Sequence, residues 1–250
     1  MTNYNLGLVS VSFRQYSPQE ILSAMKKTKL SCIEWGSDIH APYKDTQRLY
    51  ELAVLQKEYD IFCCSYGTYF RLGGDDTAEL EDYANAAKIL GTNLLRIWCG
   101  DKGAQLYSKD EKKLLFEEAK KAARIAKALG VTLCMECHNN TYTETIDGAL
   151  ELMSTVNSQS FRMYWQPNQF KSTDVNIEYA KLISPYVKNI HVFNWERENK
   201  YPLCRALDVW KGYLSCFDTP KNLLLEFMPD GKIESLEDEA SALFSIAESM

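Results

Sequence analysis

The sequence predicts an α/β protein that folds as a single (β/α)8 barrel, and three observations support this. Short apolar runs alternate with longer amphipathic segments along the chain, which is typical of parallel strands joined by helical crossovers. Eight such units occur in 250 residues, the size of a closed eight-stranded barrel. No linker rich in Pro, Gly and Ser separates them, so residues 1–250 are expected to form one domain.

The eight apolar runs are expected to be the barrel strands, because they are short and rich in aliphatic and aromatic residues. In chain order they are Leu6–Phe13, Leu30–Trp35, Ile61–Tyr66, Asn93–Trp98, Val131–Glu136, Phe161–Trp165, Val187–Phe193 and Asn222–Phe227. An open doubly wound sheet is the alternative fold. It would usually carry a glycine-rich phosphate turn after its first strand, and here that turn reads SFRQYSP.

The segments between the runs carry helix start and stop signals. Ser17-Pro-Gln-Glu20 combines a capping hydroxyl, a first-turn proline and a returning carboxylate. The same or a closely related spacing recurs at Ser108 with Glu111, Thr141 with Glu144 and Ser235 with Asp238. The stretch EEAKKAARIAKALG (117–130) is rich in helix formers and ends on a glycine, which predicts a helix terminus at that position.

Charge and hydropathy exclude several classes of partner. The chain has 34 acidic and 28 basic residues, a net charge of −6, which argues against binding to a nucleic-acid backbone. No apolar run approaches the roughly 18 residues that a membrane span requires. The first residues also lack the basic and apolar regions of a signal peptide. We therefore expect a cytoplasmic protein that binds neither nucleic acid nor membrane.

The eight cysteines are expected to be reduced. Most lie in or beside strand runs, where a free cysteine packs as a small hydrophobic residue. Cys134 and Cys137 form a CxxC pattern, but residues three apart on a strand point to opposite faces. A zinc or redox site at this pair is therefore not expected, in agreement with a cytoplasmic location.

Polar residues gather where the predicted strands end. Glu136 and His138 follow the fifth run with the same parity, and Arg96 and Trp98 are related in the same way on the fourth. The carboxyl ends of the strands form the active-site face of such a barrel, so these side chains are expected to line one cavity.

The three histidines of the chain, His40, His138 and His191, all lie in or just after strand runs, and Glu226 ends the eighth run. Two carboxylates across a cavity suit paired acid–base chemistry. Carboxylates with an imidazole also suit a divalent metal that polarises a carbonyl or alkoxide. The sequence leaves both readings open.

Seven strand-end fragments together resemble the xylose isomerase-like TIM barrels known as sugar phosphate isomerases/epimerases. They are CIEWGSDIHAP, SYGTYFRLG, RIWCG, ECHNNT, YWQPN, HVFNW and LLEF. Each fragment is weak alone, but their order at strand ends is fairly specific for the superfamily and not for a substrate. The resemblance implies metal-dependent proton transfer on a small carbohydrate, with or without a phosphate, and a homo-oligomer as a common assembly.

The resemblance also implies a role for each residue at the strand ends. Relatives hold a divalent ion, such as Mn, Mg or Zn, through residues that correspond to Glu136, Gln166, His191 and Glu226. Glu136 and Glu226 would also move the proton through an enediolate. The expected substrate contacts are Arg14, His40, Arg96, Trp98, His138 and Trp165, and Trp35 is a further candidate for stacking. Gln166 replaces the aspartate of many relatives, and its neutral amide predicts weaker metal binding.

Three other functions remain open at this stage. A cyclitol dehydratase of the inosose type would begin with the same proton abstraction. A non-catalytic sugar-binding relative would have lost the metal. An AP endonuclease shares the fold but needs several zinc ions and a basic face, whereas this chain has three histidines and its dense lysine run, KKAARIAK, lies in a predicted outer helix.

Overall fold

The computed structural model, which describes residues 4–218 and 221–249, is built on parallel strands and helical crossovers. The strands are Asn5–Val9 (β1), Cys32–Gly36 (β2), Phe62–Leu72 (β3), Leu94–Cys99 (β4), Thr132–Glu136 (β5), Phe161–Trp165 (β6), Val187–Val192 (β7), Trp195–Glu196 (β8), Asn199–Lys200 (β9) and Asn222–Leu225 (β10). Eight of them close a barrel in the order β1–β10–β7–β6–β5–β4–β3–β2, and β8 and β9 form a short antiparallel hairpin. The predicted (β/α)8 TIM barrel is confirmed.

The crossovers are helical, as the alternating pattern predicts. The α-helices are Pro18–Thr28 (α1), Thr46–Glu58 (α2), Leu80–Leu90 (α3), Lys109–Leu129 (α4), Ile146–Val156 (α5), Thr173–Ile183 (α6), Leu207–Leu214 (α7) and Leu236–Glu248 (α8). No helix within residues 4–218 or 221–249 is both long and apolar enough to cross a membrane.

Two of the predicted helix starts are confirmed in detail. Ser17 and Ser108 each form a complete capping box at the start of α1 and α4. Of the other two start signals, the one at Thr141 is wrong, and the one at Ser235 is right in position but forms no capping hydrogen bond. Thr141 lies before a single 3-10 turn, and the hydroxyl of Thr145 caps α5 instead, whereas Ser235 makes no side-chain cap.

The hydrophobic core has two layers. A small cluster fills the barrel interior and contains Val9, Cys32, Cys64, Cys134 and Leu224, and a larger one lies between the strands and the surrounding helices. All eight cysteines are free and only Cys204 is exposed. Burial raises the pKa of the Cys134 thiol to about 12, so this cysteine of the CxxC pair is a packing residue.

Strand lengths differ from the prediction where they shape the cavity. The first run leaves the sheet after Val9 and continues as a 3-10 turn over Ser10–Phe13. The third strand is longer than expected, since β3 continues to Leu72. The register between β3 and β4 shifts between Gly67 and Arg71. This irregular, extended strand carries additional side chains to the mouth of the barrel.

Candidate active site

A cavity of about 300 Å³ opens at the carboxyl ends of the barrel strands. This is the end of the fold where active sites of (β/α)8 barrels lie. The predicted site residues that line it are Arg14, Arg96, Trp98, Glu136, His138, Gln166 and Glu226. His191 is fully buried and faces these residues from beneath the floor of the cavity.

Four side chains converge at this floor from four neighbouring strands. Glu136 ends β5, Gln166 follows β6, His191 lies in β7 and Glu226 follows β10. The Nδ1 atom of His191 lies 3.4 Å from Oε1 of Glu136, 3.4 Å from Oε2 of Glu226 and 3.0 Å from Oε1 of Gln166. Glu136, His191 and Glu226 each offer one metal-ligating atom, and these three atoms all lie within 4.8 Å of one another. The group is compact enough to surround a single ion.

The chemistry of these donors fits a divalent metal. Two carboxylate oxygens, one amide oxygen and one imidazole nitrogen form a mixed hard and borderline set. Glu136, His191 and Glu226 are all buried, and converging buried carboxylates need compensating positive charge, which a divalent ion would supply. His191 would bind the ion through Nδ1, and Gln166 would contribute an uncharged oxygen.

The two glutamates lie in different electrostatic environments. Burial would raise the pKa of Glu136, but Arg96 and His191 hold it well below its usual range. Arg96 donates from Nη1 to Oε2 of Glu136 at 2.6 Å, and Trp98 Nε1 donates to the same oxygen at 2.5 Å. For Glu226, burial and the charge of Glu136 raise the pKa. One carboxylate is therefore fixed and ionised, and the other accepts a proton more readily.

His191 is affected by both of these carboxylates and by Glu34. Burial would lower the pKa of its imidazole, but the charges of Glu226, Glu136 and Glu34 raise it to about 10. A metal ion would therefore compete with a proton for Nδ1 of this imidazole.

The rim of the cavity carries a second arginine. Arg14 donates from Nε to Oδ2 of Asp38 at 2.5 Å, and its Nη2 donates to the hydroxyl of Tyr69. The Arg14 side chain is 40% exposed, and both Arg14 and Tyr69 line the cavity. Tyr69 was not among the predicted site residues, since the third run was expected to end at Tyr66. The fragment SYGTYFRLG holds the signal, because its apolar character continues beyond Tyr66.

Aromatic rings cover two sides of the cavity. Trp98 lies 5.4 Å from the ring of His138 and 5.4 Å from that of Tyr69, measured between centroids. His138 donates from Nδ1 to the carbonyl oxygen of its neighbour Asn139 at 2.7 Å, which fixes its ring.

On the opposite side, Trp195 from the β8–β9 hairpin lies 5.2 Å from Phe193 and 5.1 Å from Phe227. Phe227 has a φ of +57°, a conformation that bulky residues rarely adopt. Its backbone N–H donates to Ser12 Oγ at 2.8 Å. This turn comes directly after Glu226 and sets the direction in which that carboxylate leaves β10.

Two of the expected substrate contacts lie outside the cavity. His40 is 1% exposed, and its nitrogens lie 3.1 Å from Ser10 Oγ and 3.1 Å from the carbonyl oxygen of Tyr16. Trp165 is fully buried and packs against Trp210, at a centroid distance of 6.1 Å, on the helix side of the barrel. The structure therefore corrects these two predictions, because both side chains are enclosed by protein and do not reach the cavity.

Trp35 also lies outside the cavity, for the same reason as Trp165. It follows the inward-facing Glu34 on β2, is fully buried and donates from Nε1 to Oε1 of Gln56 on α2 at 2.9 Å. Adjacent residues of a strand face opposite sides, so Trp35 packs against the helices.

Known proteins share this fold over nearly the whole chain. The probable 3-DHS dehydratase AsbF of Bacillus anthracis, involved in petrobactin synthesis, is 17% identical with a TM-score of 0.82, covering 96% of this chain and 98% of its own. D-psicose 3-epimerase of Clostridium cellulolyticum H10, solved with D-tagatose, is 13% identical with a TM-score of 0.69 and 98% coverage of both chains. A xylose isomerase-like TIM barrel protein of Mycobacterium smegmatis, in complex with magnesium, is 11% identical with a TM-score of 0.75, covering 98% of this chain and 97% of its own.

Comparison of the sequence itself identifies one family. No curated protein matches the chain. The model of the xylose isomerase-like TIM barrel family matches residues 22–221, which include every strand from β2 to β7 and the residues Glu136, Gln166 and His191. The chain therefore belongs to the xylose isomerase-like TIM barrel family.

Proposed function

We propose that the protein is a divalent-metal-dependent isomerase or epimerase that moves a proton next to the carbonyl group of a small sugar. The observation that carries the proposal is the convergence of Glu136, Gln166, His191 and Glu226 at the floor of one cavity. A divalent ion held by these residues would polarise a carbonyl or alkoxide oxygen of the substrate and so acidify the neighbouring carbon.

Glu136 and Glu226 would remove and return the proton. Glu136 has one oxygen held by Arg96 and Trp98, so its position is fixed on the β5 side of the cavity. Glu226 lies on the β10 side, and β6 and β7 separate the two strands in the barrel. A substrate carbon between them is within reach of a carboxylate from each side, as proton removal and return require.

The cavity suits a substrate of monosaccharide size. Its volume of about 300 Å³ is at the lower end of the range for small-molecule pockets. Trp98 and Trp195 supply apolar faces, and His138 and Arg14 supply polar groups at the wall and rim. Such a mixture of aromatic faces and hydrogen-bonding groups is suited to the two faces and the hydroxyls of a sugar.

The same residues could serve a lyase that begins with the same proton abstraction, as in the dehydration of a cyclitol. The two reactions differ in their products, because dehydration releases water and changes the mass of the substrate. A nuclease is less consistent with the site. Within the described part of the chain, one group of three His, Cys, Asp or Glu residues is arranged to hold a metal.

The test combines metal analysis with isotope exchange. The purified protein should retain or take up Mn²⁺, Mg²⁺ or Zn²⁺, and in deuterated water it should then introduce deuterium next to the carbonyl carbon of at least one ketose in a panel. Mass spectrometry of the same samples would report loss of water. A chelator should stop exchange, and Glu226→Gln should slow it by roughly 10²–10⁴-fold. Tight binding of a ketose without exchange would instead indicate a non-catalytic sugar-binding protein.

A further inference from the structure

Glu34 has a fully buried carboxylate behind the floor of the cavity. Its Oε2 accepts hydrogen bonds from Ser65 Oγ at 2.6 Å and from the hydroxyl of Tyr164 at 2.5 Å. Its Oε1 accepts one from Arg96 Nε at 2.8 Å. The guanidinium of Arg96 is itself buried, so the two side chains form a buried ion pair. The carboxylate is therefore charged at neutral pH and held in one orientation by three donors.

The second nitrogen of His191 faces this carboxylate. Whereas Nδ1 is turned toward Glu136, Gln166 and Glu226, Nε2 is buried and has no hydrogen-bond partner within the described residues. The Oε1 atom of Glu34 lies 3.6 Å from Nε2. This is about 0.5 Å beyond an ordinary hydrogen bond, a gap that a small rotation of the imidazole closes. Histidines that bind metals usually donate their other N–H to a carboxylate, a carbonyl or water.

We propose that Glu34 is a positioning residue of the metal centre, which accepts the Nε2–H of His191 and so presents Nδ1 to the ion. The inference rests on the proposed function, because it requires that His191 bind a metal. Ser65 and Tyr164 hold Oε2, so the carboxylate cannot rotate away and Oε1 stays directed at His191. The same oxygen accepts from Arg96, whose other end binds Glu136. Glu34 thereby orients two of the groups around the ion.

The charge of Glu34 has a separate effect on the centre. Arg96 is 3% exposed and is paired with both Glu34 and Glu136. If Glu34 becomes neutral, Glu136 alone compensates the guanidinium, and less of its negative charge is available to the ion. Loss of the orientation of His191 and loss of the charge of Glu34 would both weaken metal binding. Removal of partners of this kind typically lowers metal affinity by about 10–100-fold.

The variant Glu34→Gln tests this role because it keeps the shape of the side chain and removes its charge. Zinc affinity would be measured by competition with a chromophoric chelator. The imidazole N–H groups would be followed by proton–nitrogen NMR, which is tractable because the chain has three histidines. We expect the zinc affinity to fall by about 10–100-fold and the Nε2–H of His191 to exchange faster with solvent. Glu239→Gln is the matched control, since Glu239 is a buried carboxylate on α8 that accepts the backbone N–H of Leu203. It should change neither readout.

Two results separate this inference from the proposed function. A folded Glu34→Gln protein with wild-type zinc affinity and an unchanged His191 Nε2–H would overturn the role of Glu34 and leave the metal centre intact. A wild-type protein that takes up no zinc, manganese or magnesium would refute the metal centre itself, and the inference with it.

A second variant covers the case in which Glu34→Gln does not fold because Arg96 loses one of its two carboxylate partners. The pair Glu34→Gln with Arg96→Met removes one negative and one positive charge, so the net charge of the buried group stays the same. The Nε2–H of His191 should still exchange faster than in the wild type. Unchanged protection in this double variant would overturn the inference.

Discussion

Replacing Gln166 with glutamate should strengthen metal binding, because it adds a charge among the ligands without changing side-chain length. The amide Oε1 of Gln166 lies 3.0 Å from Nδ1 of His191, beside the carboxylates of Glu136 and Glu226. A glutamate at this position would place its oxygen at the same point. The change therefore tests whether Gln166 belongs to the metal centre.

The expected magnitude follows from opposing electrostatic effects. Two unit charges 4 Å apart interact by about 4 kcal/mol at an effective dielectric constant of about 20, and a divalent ion doubles this attraction. Burial and repulsion by Glu136 and Glu226 favour a proton on the added carboxyl in the metal-free protein, so the ion has to displace that proton and only part of the attraction adds to its affinity. We expect a net gain of about 1.4–2.8 kcal/mol, which is a 10–100-fold lower dissociation constant.

The assay is competition between the protein and a chromophoric chelator for Zn²⁺ or Mn²⁺. Gln169→Glu is the matched control, because Gln169 also lines the cavity but is not directed at Nδ1 of His191. Gln166→Asp should give a smaller gain, since its side chain is one methylene shorter. Unchanged affinity in Gln166→Glu would show that Gln166 is not a ligand. An equal gain in Gln169→Glu would show that the effect comes from the field of the added charge and not from coordination.

Three further predictions concern neighbouring groups. Glu136→Gln and Glu226→Gln should each slow turnover by roughly 10²–10⁴-fold. The double variant should be little slower than either single variant, because the two glutamates act as one unit. Additive losses of rate in the exchange assay would contradict this. Because the pKa of His191 is raised to about 10 and a metal requires the neutral imidazole, metal uptake at neutral pH should release a proton. Affinity should then rise with pH toward 10, and indicator titration with no proton release would exclude His191 as a ligand. Trp165→Phe should leave metal uptake unchanged and lower the free energy of unfolding by about 1–3 kcal/mol. If the variant instead bound metal more weakly and unfolded in urea like the wild type, the packing role of Trp165 would be contradicted.

The architecture was predictable because its signals are local. The alternation of apolar runs with capped helices depends on residues close in sequence, and the capping boxes at Ser17 and Ser108 are present as expected. The parity of residues on a strand also predicted that Glu136 and Arg96 face the same space. They are joined by a 2.6 Å ion pair between neighbouring strands.

The same rule would have excluded Trp165 as a substrate contact. Gln166 directly follows Trp165, and adjacent residues in extended backbone point to opposite faces. If Gln166 faces the cavity, Trp165 must pack on the helix side, as it does against Trp210. Residue type alone favours any aromatic residue at a strand end as a sugar contact, but parity decides which of them faces the cavity, and it places Trp165 outside.

The role of Glu34 could not be read from the chain, because its partners come from other strands. Tyr164 is 130 positions away and donates to Glu34 from β6, and Arg96 and His191 approach from β4 and β7. Such contacts depend on how the strands tilt and on which side chains share a layer inside the closed barrel. Sequence parity indicates that a residue faces inward but not which inward residue lies opposite.

The neutral side chain of Gln166 raises the question of whether the site still binds a metal, and the charges around the floor of the cavity help to answer it. Glu34, Glu136 and Glu226 carry three negative charges and Arg96 carries one positive charge, which leaves a buried excess of two. A divalent ion bound by neutral His191 cancels this excess, and Gln166 adds nothing to it. A sugar-binding protein without a metal would have to keep this excess partly neutralised by protons on Glu226 and His191. The buried charges around Gln166 therefore match those of a divalent ion, so the neutral side chain of Gln166 is compatible with the proposed metal centre.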